Sequence, residues 1–320
     1  MSKTMKAWLI VAAFFIAIGI ITFAVIMTIN GWDFTKLGTG KYETNTYELN
    51  EEFSTISIIT DTADIVFVPS DDEKCKVVCY EVEKEKHSVS VADGVLTVNA
   101  VDTRKWYDHI GINFKTQKIT IYLPEAEYSS LSIEASTGDT KIPNDFKFEN
   151  IDISVSTGDV NCFASATETI KIAATTGDIS VADISAGLLD LSVSTGQVTV
   201  SNVICSGNVK IGVSTGDTLM SDVECKSVIS NGSTGDIVLK NVIAAETFSI
   251  ERSTGDVKFD GSDAAEIYIE TDTGDVRGSL LSDKTFIVNT DAGKESYPKG
   301  TTGGRCEITT DTGDIIITIN

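Results

Sequence analysis

The stretch LSIEASTGDTKI, residues 131–142, decides how this chain is to be read. At its centre stands Ser136-Thr137-Gly138-Asp139. That phrase returns, with small changes, around Gly158, Gly177, Gly196, Gly216, Gly235, Gly255, Gly274, Gly293 and Gly313. The steps between the glycines are 20, 19, 19, 20, 19, 20, 19, 19 and 20 residues. A period that steady marks a solenoid in which each repeat is one turn of the chain. The glycine suits a sharp strand-to-strand reversal, because it takes positive φ without steric cost. The Ser or Thr before it and the Asp after it can bond local backbone N–H groups.

Working outward from each glycine gives two strands per repeat. Seven residues before it stand Leu131, Ile151, Ile170, Leu189, Val209 and their equivalents; five before stand Ile133, Ile153, Ile172, Leu191 and Ile211. Two after come Val160, Ile179, Val198, Ile237 and Val257, and four after come Ile142, Cys162, Val181, Val200 and Leu239. Polar residues alternate with them, so one face of each strand is buried. A further apolar set (Ile184, Val203, Val223, Val242) lies seven after the glycine. The odd step from four to seven predicts a corner. The expected fold class is all-β: a parallel β-solenoid of about ten 19–20-residue coils. A right-handed winding is favoured because parallel β connections are almost always right-handed. Coils about 4.8 Å apart would make a rod roughly 50 Å long.

The regular array spans 131–320, and residues 44–130 form a β-rich lead-in serving as a cap or first coils. Before these come a polar linker, 30–43, and an almost wholly apolar, uncharged run, Ala7–Ile29, long enough to cross a bilayer as a transmembrane helix. It is longer than a signal-peptide core, which predicts an uncleaved single-pass anchor. Lys3 and Lys6 precede it and Asp33 follows. The positive-inside rule then puts the tail, 1–6, in the cytoplasm and the large domain outside the cell membrane. The chain carries 47 acidic and 25 basic residues, a net charge of -22. That balance repels nucleic acid and anionic headgroups.

An anchor, a lead-in ending in Ile119-Thr120-Ile121-Tyr122-Leu123-Pro124, and successive copies of an apolar-x-apolar-x-x-S-T-G-D-apolar-x-apolar pattern follow one another. In this the chain, over about residues 50–320, resembles the bacterial putative-adhesin family of β-strand repeat proteins, a domain of unknown function. The resemblance implies an envelope-associated β-solenoid. It brings no catalytic residues and no cofactor.

The remaining chemistry-bearing residues fall into columns. Asp272-Thr273-Gly274 and Asp311-Thr312-Gly313 spell the aspartic-protease triplet. Their register makes them variants of the turn, expected two repeats apart on the rod, where they could not share a proton. Asp139, Asp159, Asp178, Asp217, Asp236, Asp256 and Asp275 stack after the glycines, with Gln197 and Lys294 as exceptions. They are either a solvated acidic edge or calcium ligands, and one carboxylate per coil is thin for an ion preferring six to eight oxygens. The threonine column sits at a turn and not on the flat face that ice binding needs. His87 and His109 read as lone exposed histidines. Cys162 and Cys306 fall on inward columns, while Cys75 and Cys79 are about 13 Å apart on one strand. Cys205 and Cys225 each lie nine residues after a glycine in successive coils, adjacent and within disulfide reach.

No G-x-S-x-G, HExxH, P-loop or Rossmann pattern is present. The leading expectation is a non-enzymatic binding or adhesion scaffold, meeting the membrane through Ala7–Ile29 and a cell-wall polymer, glycan or surface protein through its rod. The alternatives are an accessory or regulatory protein of the envelope stress response, and a structural scaffold. The scaffold would self-associate through the C-terminal coil, whose Ile315-Ile316-Ile317-Thr318-Ile319 reads as an unblunted edge.

Overall fold

A computed structural model describes residues 2–33, 40–71, 74–105, 115–299 and 302–320. Lys3–Ile29 is one α-helix; Ser2 caps its N-terminus by accepting a hydrogen bond from the Met5 amide. The helix is long and apolar enough to cross a membrane, and the span Thr4–Ile29 has no buried window. The rest is almost entirely strand, wound into a solenoid of about nine turns.

Adjacent coils pair in parallel and in register. Ile151 stands beside Leu131 and Ile170, Leu189 beside Val209, and Ile237 beside Thr218 and Val257. The columns predicted from the repeat are buried and form one continuous core running the length of the array. The corner has a simple cause. The residue six after the glycine is left-handed at Asp183 (φ 57), Asn202 (φ 51), Asp222 (φ 54) and Asn241 (φ 50). Asn and Asp tolerate that region better than other side chains. One left-handed residue resets the alternation, so positions four and seven after the glycine both point inward. The corner side chains also link coils: Asn202 Nδ2 donates to Asp183 Oδ1 at 2.6 Å and Asn241 Nδ2 to Asp222 Oδ1 at 2.8 Å.

Eight of the ten turn glycines take the positive φ their position suggested, and all ten are needed for a second reason as well. Gly177 has φ 132, but Gly274 lies outside the left-handed region. What all ten share is close approach. A Cβ on any of them would collide with a carbonyl of the neighbouring coil: Gly158 O for Gly177, Gly255 O for Gly274, Ala63 O for Gly138. Ala63 itself, at the turn of the first coil, keeps its methyl group because, among the described residues, no tight turn stacks outside it. There the Asp64 amide donates to Gln117 O instead.

At both ends the coils are not stacked in chain order. Thr55–Thr62 and Asp64–Pro69 form a coil directly beside the Gly138 coil. The chain then leaves and returns to lay Val95–Asp102 and Lys118–Leu123 on its outer side. Antiparallel strands Cys75–Val82, Tyr42–Leu49 and Glu85–Ala92 finish this end as a cap. At the other end the Gly313 coil inserts between those of Gly274 and Gly293: Ile267 pairs with Cys306, and Phe286 pairs with Cys306 from the far side. The expectation that Ile315–Ile319 forms the open edge is therefore corrected. That strand has neighbours on both sides, although the outer one pairs only at Ile315 and Ile316. The terminal rung is Lys284–Ala292, with Ile287 exposed.

Candidate functional site

The aspartate column is a hydrogen-bond ladder. Asp139 donates its backbone N–H to Asp64 Oδ1 (3.0 Å), Asp159 to Asp139 (2.9 Å) and Asp178 to Asp159 (2.8 Å). The series resumes past Gln197, with Asp236 to Asp217, Asp256 to Asp236, Asp275 to Asp256 and Asp314 to Asp275. Each carboxylate spends one oxygen on its neighbour's amide. The two exceptions now have physical causes. Lys294 lies in the last rung, where it donates to Asp314 Oδ1 and no further amide needs an acceptor. Gln197 turns its amide to Thr199 Oγ1. Among the described residues, repulsion along the ladder is offset at one end: Lys258 bridges Asp236 and Asp256, and Arg277 bridges Asp275 and Asp314. The bond from the Asp275 amide, followed by Lys258, holds the Asp256 carboxyl below the usual range.

The inserted coil also changes the two Asp-Thr-Gly triplets. Thr271 pairs with Thr310 and Thr273 with Thr312, so Asp272 and Asp311 are neighbours on adjacent strands, not two repeats apart. Both are exposed at the turn. Water solvates each carboxylate there, and proton sharing of the protease kind needs enclosure.

His87 corrects a second expectation. It is buried (4 % exposed), not a lone surface histidine. Its Nδ1 lies 2.8 Å from Glu81 Oε2, its Nε2 lies 2.9 Å from Thr60 Oγ1, and its backbone N–H donates to Glu81 Oε2 at 2.7 Å. Glu81 is wholly buried and also accepts from Asn45 Nδ2 at 2.7 Å. Cys79, wholly buried too, offers a third ligand atom. Those of Cys79, Glu81 and His87 all lie within 4.8 Å of one another. Alternation carried the signal: Val77, Cys79 and Glu81 share the inward face of one strand, which puts a carboxylate in the core. His109 lies outside the described residues.

A second buried charge was also missed. Arg252 is 3 % exposed and turns inward, where the column otherwise holds Ala174, Val193 and Val213. Its Nη1 donates to Val213 O (3.1 Å) and its Nη2 to Thr218 Oγ1 (3.0 Å), with Ser230 Oγ at 3.5 Å. Its guanidinium fills the space a side chain at Gly232 would take. Thr218, Ser230 and Gly232 each depart from the repeat, and one guanidinium accounts for all three. Burial lowers the Arg252 pKa, with Asp217 opposing.

All six cysteines are free thiols and buried. Cys162 and Cys306 lie in the core as expected, and burial pushes both up to about 12. Cys205 and Cys225 follow the paired residues Ile204 and Glu224 of adjacent coils. Cys205 Sγ lies 3.5 Å from Asn208 O, and burial, then Cys205, pushes the Cys225 thiol up to about 12.

A trough of about 630 Å³ lies on the outside of the array. Its floor is made by small residues of successive coils, among them Ser192, Ser194, Gly212, Ser214 and Ser233, and Glu251, Glu270 and Asp272 line one end. Six coils contribute, from that of Gly177 to that of Gly274, so it runs about 24 Å along the rod.

No curated protein sequence matches the chain. Among solved structures it is similar to a putative lipid binding protein from Parabacteroides distasonis (16% identity, 75% of this chain and 95% of that one, TM-score 0.45). It is also similar to putative adhesins from Bacteroides fragilis (16%, 87% and 97%, TM-score 0.41) and Parabacteroides merdae (12%, 77% and 98%, TM-score 0.44). The Toastrack DUF4097 family model matches residues 53–217 and again 205–320. The repeat phrase, the stacked coils and these two matches agree: the chain belongs to the Toastrack DUF4097 family.

Proposed function

We propose that this chain is a non-enzymatic, membrane-anchored scaffold whose solenoid stands outside the cell and binds an extended surface polymer along its trough. The trough carries this reading. It is lined by serines, glycines, Asn231 and acidic residues, is open along its length, and crosses six rigid coils, which suits a long ligand better than a compact one. Glu251, Glu270 and Asp272 favour a neutral or amine-bearing glycan over a polyphosphate. The apolar helix supports the anchor, and Lys3 and Lys6 before it support a cytoplasmic N-terminus.

Gly212 gives a clean test. A Cβ there meets only Ser192 Cβ, at 3.8 Å, so Gly212→Tyr fills the trough without moving the backbone. The full chain in lipid nanodiscs is screened against neutral, amine-bearing and phosphate-bearing wall polymers. Binding to the first two, abolished by Gly212→Tyr with an unchanged melting curve, is the expected result. Silence across the screen, with altered envelope-gene expression on deletion, would move the reading to the regulatory alternative.

A further inference from the structure

We propose that Cys79, Glu81 and His87 form a buried site for one divalent metal ion of borderline softness, and that zinc is the ion this donor set suits. The site would be structural. It joins three segments: strand Cys75–Val82 supplies Cys79 and Glu81, strand Glu85–Ala92 supplies His87, and Thr60 of the first coil steadies the histidine from behind. A metal there would staple the cap to the solenoid.

The donors are one thiol, one carboxylate and one imidazole, a mixture that zinc accepts and calcium or magnesium does not. Zinc–ligand bonds of about 2.0–2.3 Å place tetrahedral donors roughly 3.3–3.8 Å apart. The three ligand atoms already lie within 4.8 Å of one another, with His87 Nδ1 and Glu81 Oε2 at 2.8 Å. Binding needs the 2.8 Å distance to open by roughly half an ångström and any longer one to close by about 1.5 Å or less.

The surrounding bonds are those a metal site uses to hold its ligands. Thr60 Oγ1 faces His87 Nε2, so when Nδ1 takes the metal, Nε2–H donates to that hydroxyl and fixes the tautomer. Asn45 Nδ2 and the His87 amide fix the Glu81 carboxylate. The Tyr47 hydroxyl donates to His87 O at 3.0 Å and holds the histidine backbone in place. The ion and two anionic ligands sum to zero charge, which a dry interior tolerates. Binding converts Cys79 S–H to thiolate and releases that proton to solvent. A cavity of about 60 Å³ lined by Thr60, His87, Asp102, Arg104 and Gln117 offers a route to the His87 side of the site. The buried Gln117 Oε1, which has no hydrogen-bond partner, makes that route polar.

The test uses the full chain purified in detergent, stripped with chelator and titrated with zinc and with cobalt(II). The expected result is one tightly held ion per chain, with a thiolate-to-cobalt charge-transfer band. Cys79→Ala should remove the band, while Cys162→Ala, at a core thiol remote from the site, leaves it intact. Affinity should fall in Cys79→Ala by more than the roughly 10–100-fold that loss of an outer partner costs. His87→Gln should weaken binding likewise, and zinc should raise the melting temperature of wild type and of Cys162→Ala but not of Cys79→Ala. Less than one bound ion in a folded wild type, or a cobalt band that survives Cys79→Ala, overturns the proposal. The cluster is then a hydrogen-bonded buried pair and nothing more.

Discussion

Replacing Asp159 by Asn and by Ala separates the two things its carboxylate does. It accepts the Asp178 amide at 2.8 Å, and it stands in a column with Asp139 and Asp178, where no cation bridges. Two unit charges about 4.8 Å apart in water repel by roughly 0.9 kcal/mol, and a Debye length of about 8 Å at physiological salt reduces this to about 0.5. Two neighbours make roughly 1 kcal/mol, rising to about 1.5 in 10 mM salt and falling to about 0.4 in 1 M. Asn keeps an acceptor oxygen and loses only the charge-assisted part of the bond, about 0.5–1 kcal/mol. Asp159→Asn should therefore stabilise slightly at low salt and destabilise slightly at high salt. Asp159→Ala loses the whole bond and should lie about 1 kcal/mol below Asn at every salt concentration. Asp256→Asn should destabilise throughout, because Lys258 bridges that carboxylate. Thermal melts across the salt series measure the signs, and amide hydrogen exchange at Asp178 reports the bond itself, retained in Asn and lost in Ala. If Asp159→Asn and Asp256→Asn shift in the same direction at low salt, the ladder's repulsion is not what this geometry says it is.

Three further outcomes follow from the core. Gly177→Ala should cost roughly 3–5 kcal/mol or prevent folding, since its Cβ meets Gly158 O, whereas Ala63→Gly should cost about 1 kcal/mol or less; paired melts check both. The buried thiols Cys162 and Cys306 have pKa values of about 12, against an ordinary value of 9.0 that they regain on unfolding. The unfolded chain thus binds fewer protons between those limits, and stability falls as pH rises from 9.0 toward about 12, by up to about 1.4 kcal/mol per pH unit for each thiol; melts from neutral to alkaline pH should show the decline, flattened by Cys162→Ala. Arg252→Lys should cost roughly 1–3 kcal/mol, read by the same melts, because one ammonium does not span Val213 O and Thr218 Oγ1 as the guanidinium fork does.

The solenoid could be read from residues because each rung repeats the same inward positions, so one rung's alternation predicts the next. Stacking order could not. Most rung edges offer a similar backbone ladder at the turn, so the Gly313 coil fits beside Gly274 as well as beside Gly293, and only closure of the whole chain selects the inserted arrangement. The misplacement of Asp272 and Asp311 came from that degeneracy. The cap lay beyond the period altogether. Its buried His87 was hidden because its partners, Glu81 and Thr60, come from two other strands, although the inward phase of Glu81 was visible.

Departures from the repeat carry information where the repeat itself is uniform. Thr218, Ser230, Gly232 and Arg252 each look like isolated drift in their own columns. In space they are one network, in which a long cation crosses three coils and finds only neutral oxygens. Val213, Gly232 and Arg252 also line the outer trough. The floor of that trough is thin at Gly212 and Gly232, and a guanidinium bonded across to Val213 O braces it from within. A column of Val or Ile would have kept the core apolar but left Gly232 unsupported. The buried arginine and the outer trough are then two faces of one local solution, and substitutions that loosen Arg252 should alter the trough before they alter the rest of the rod.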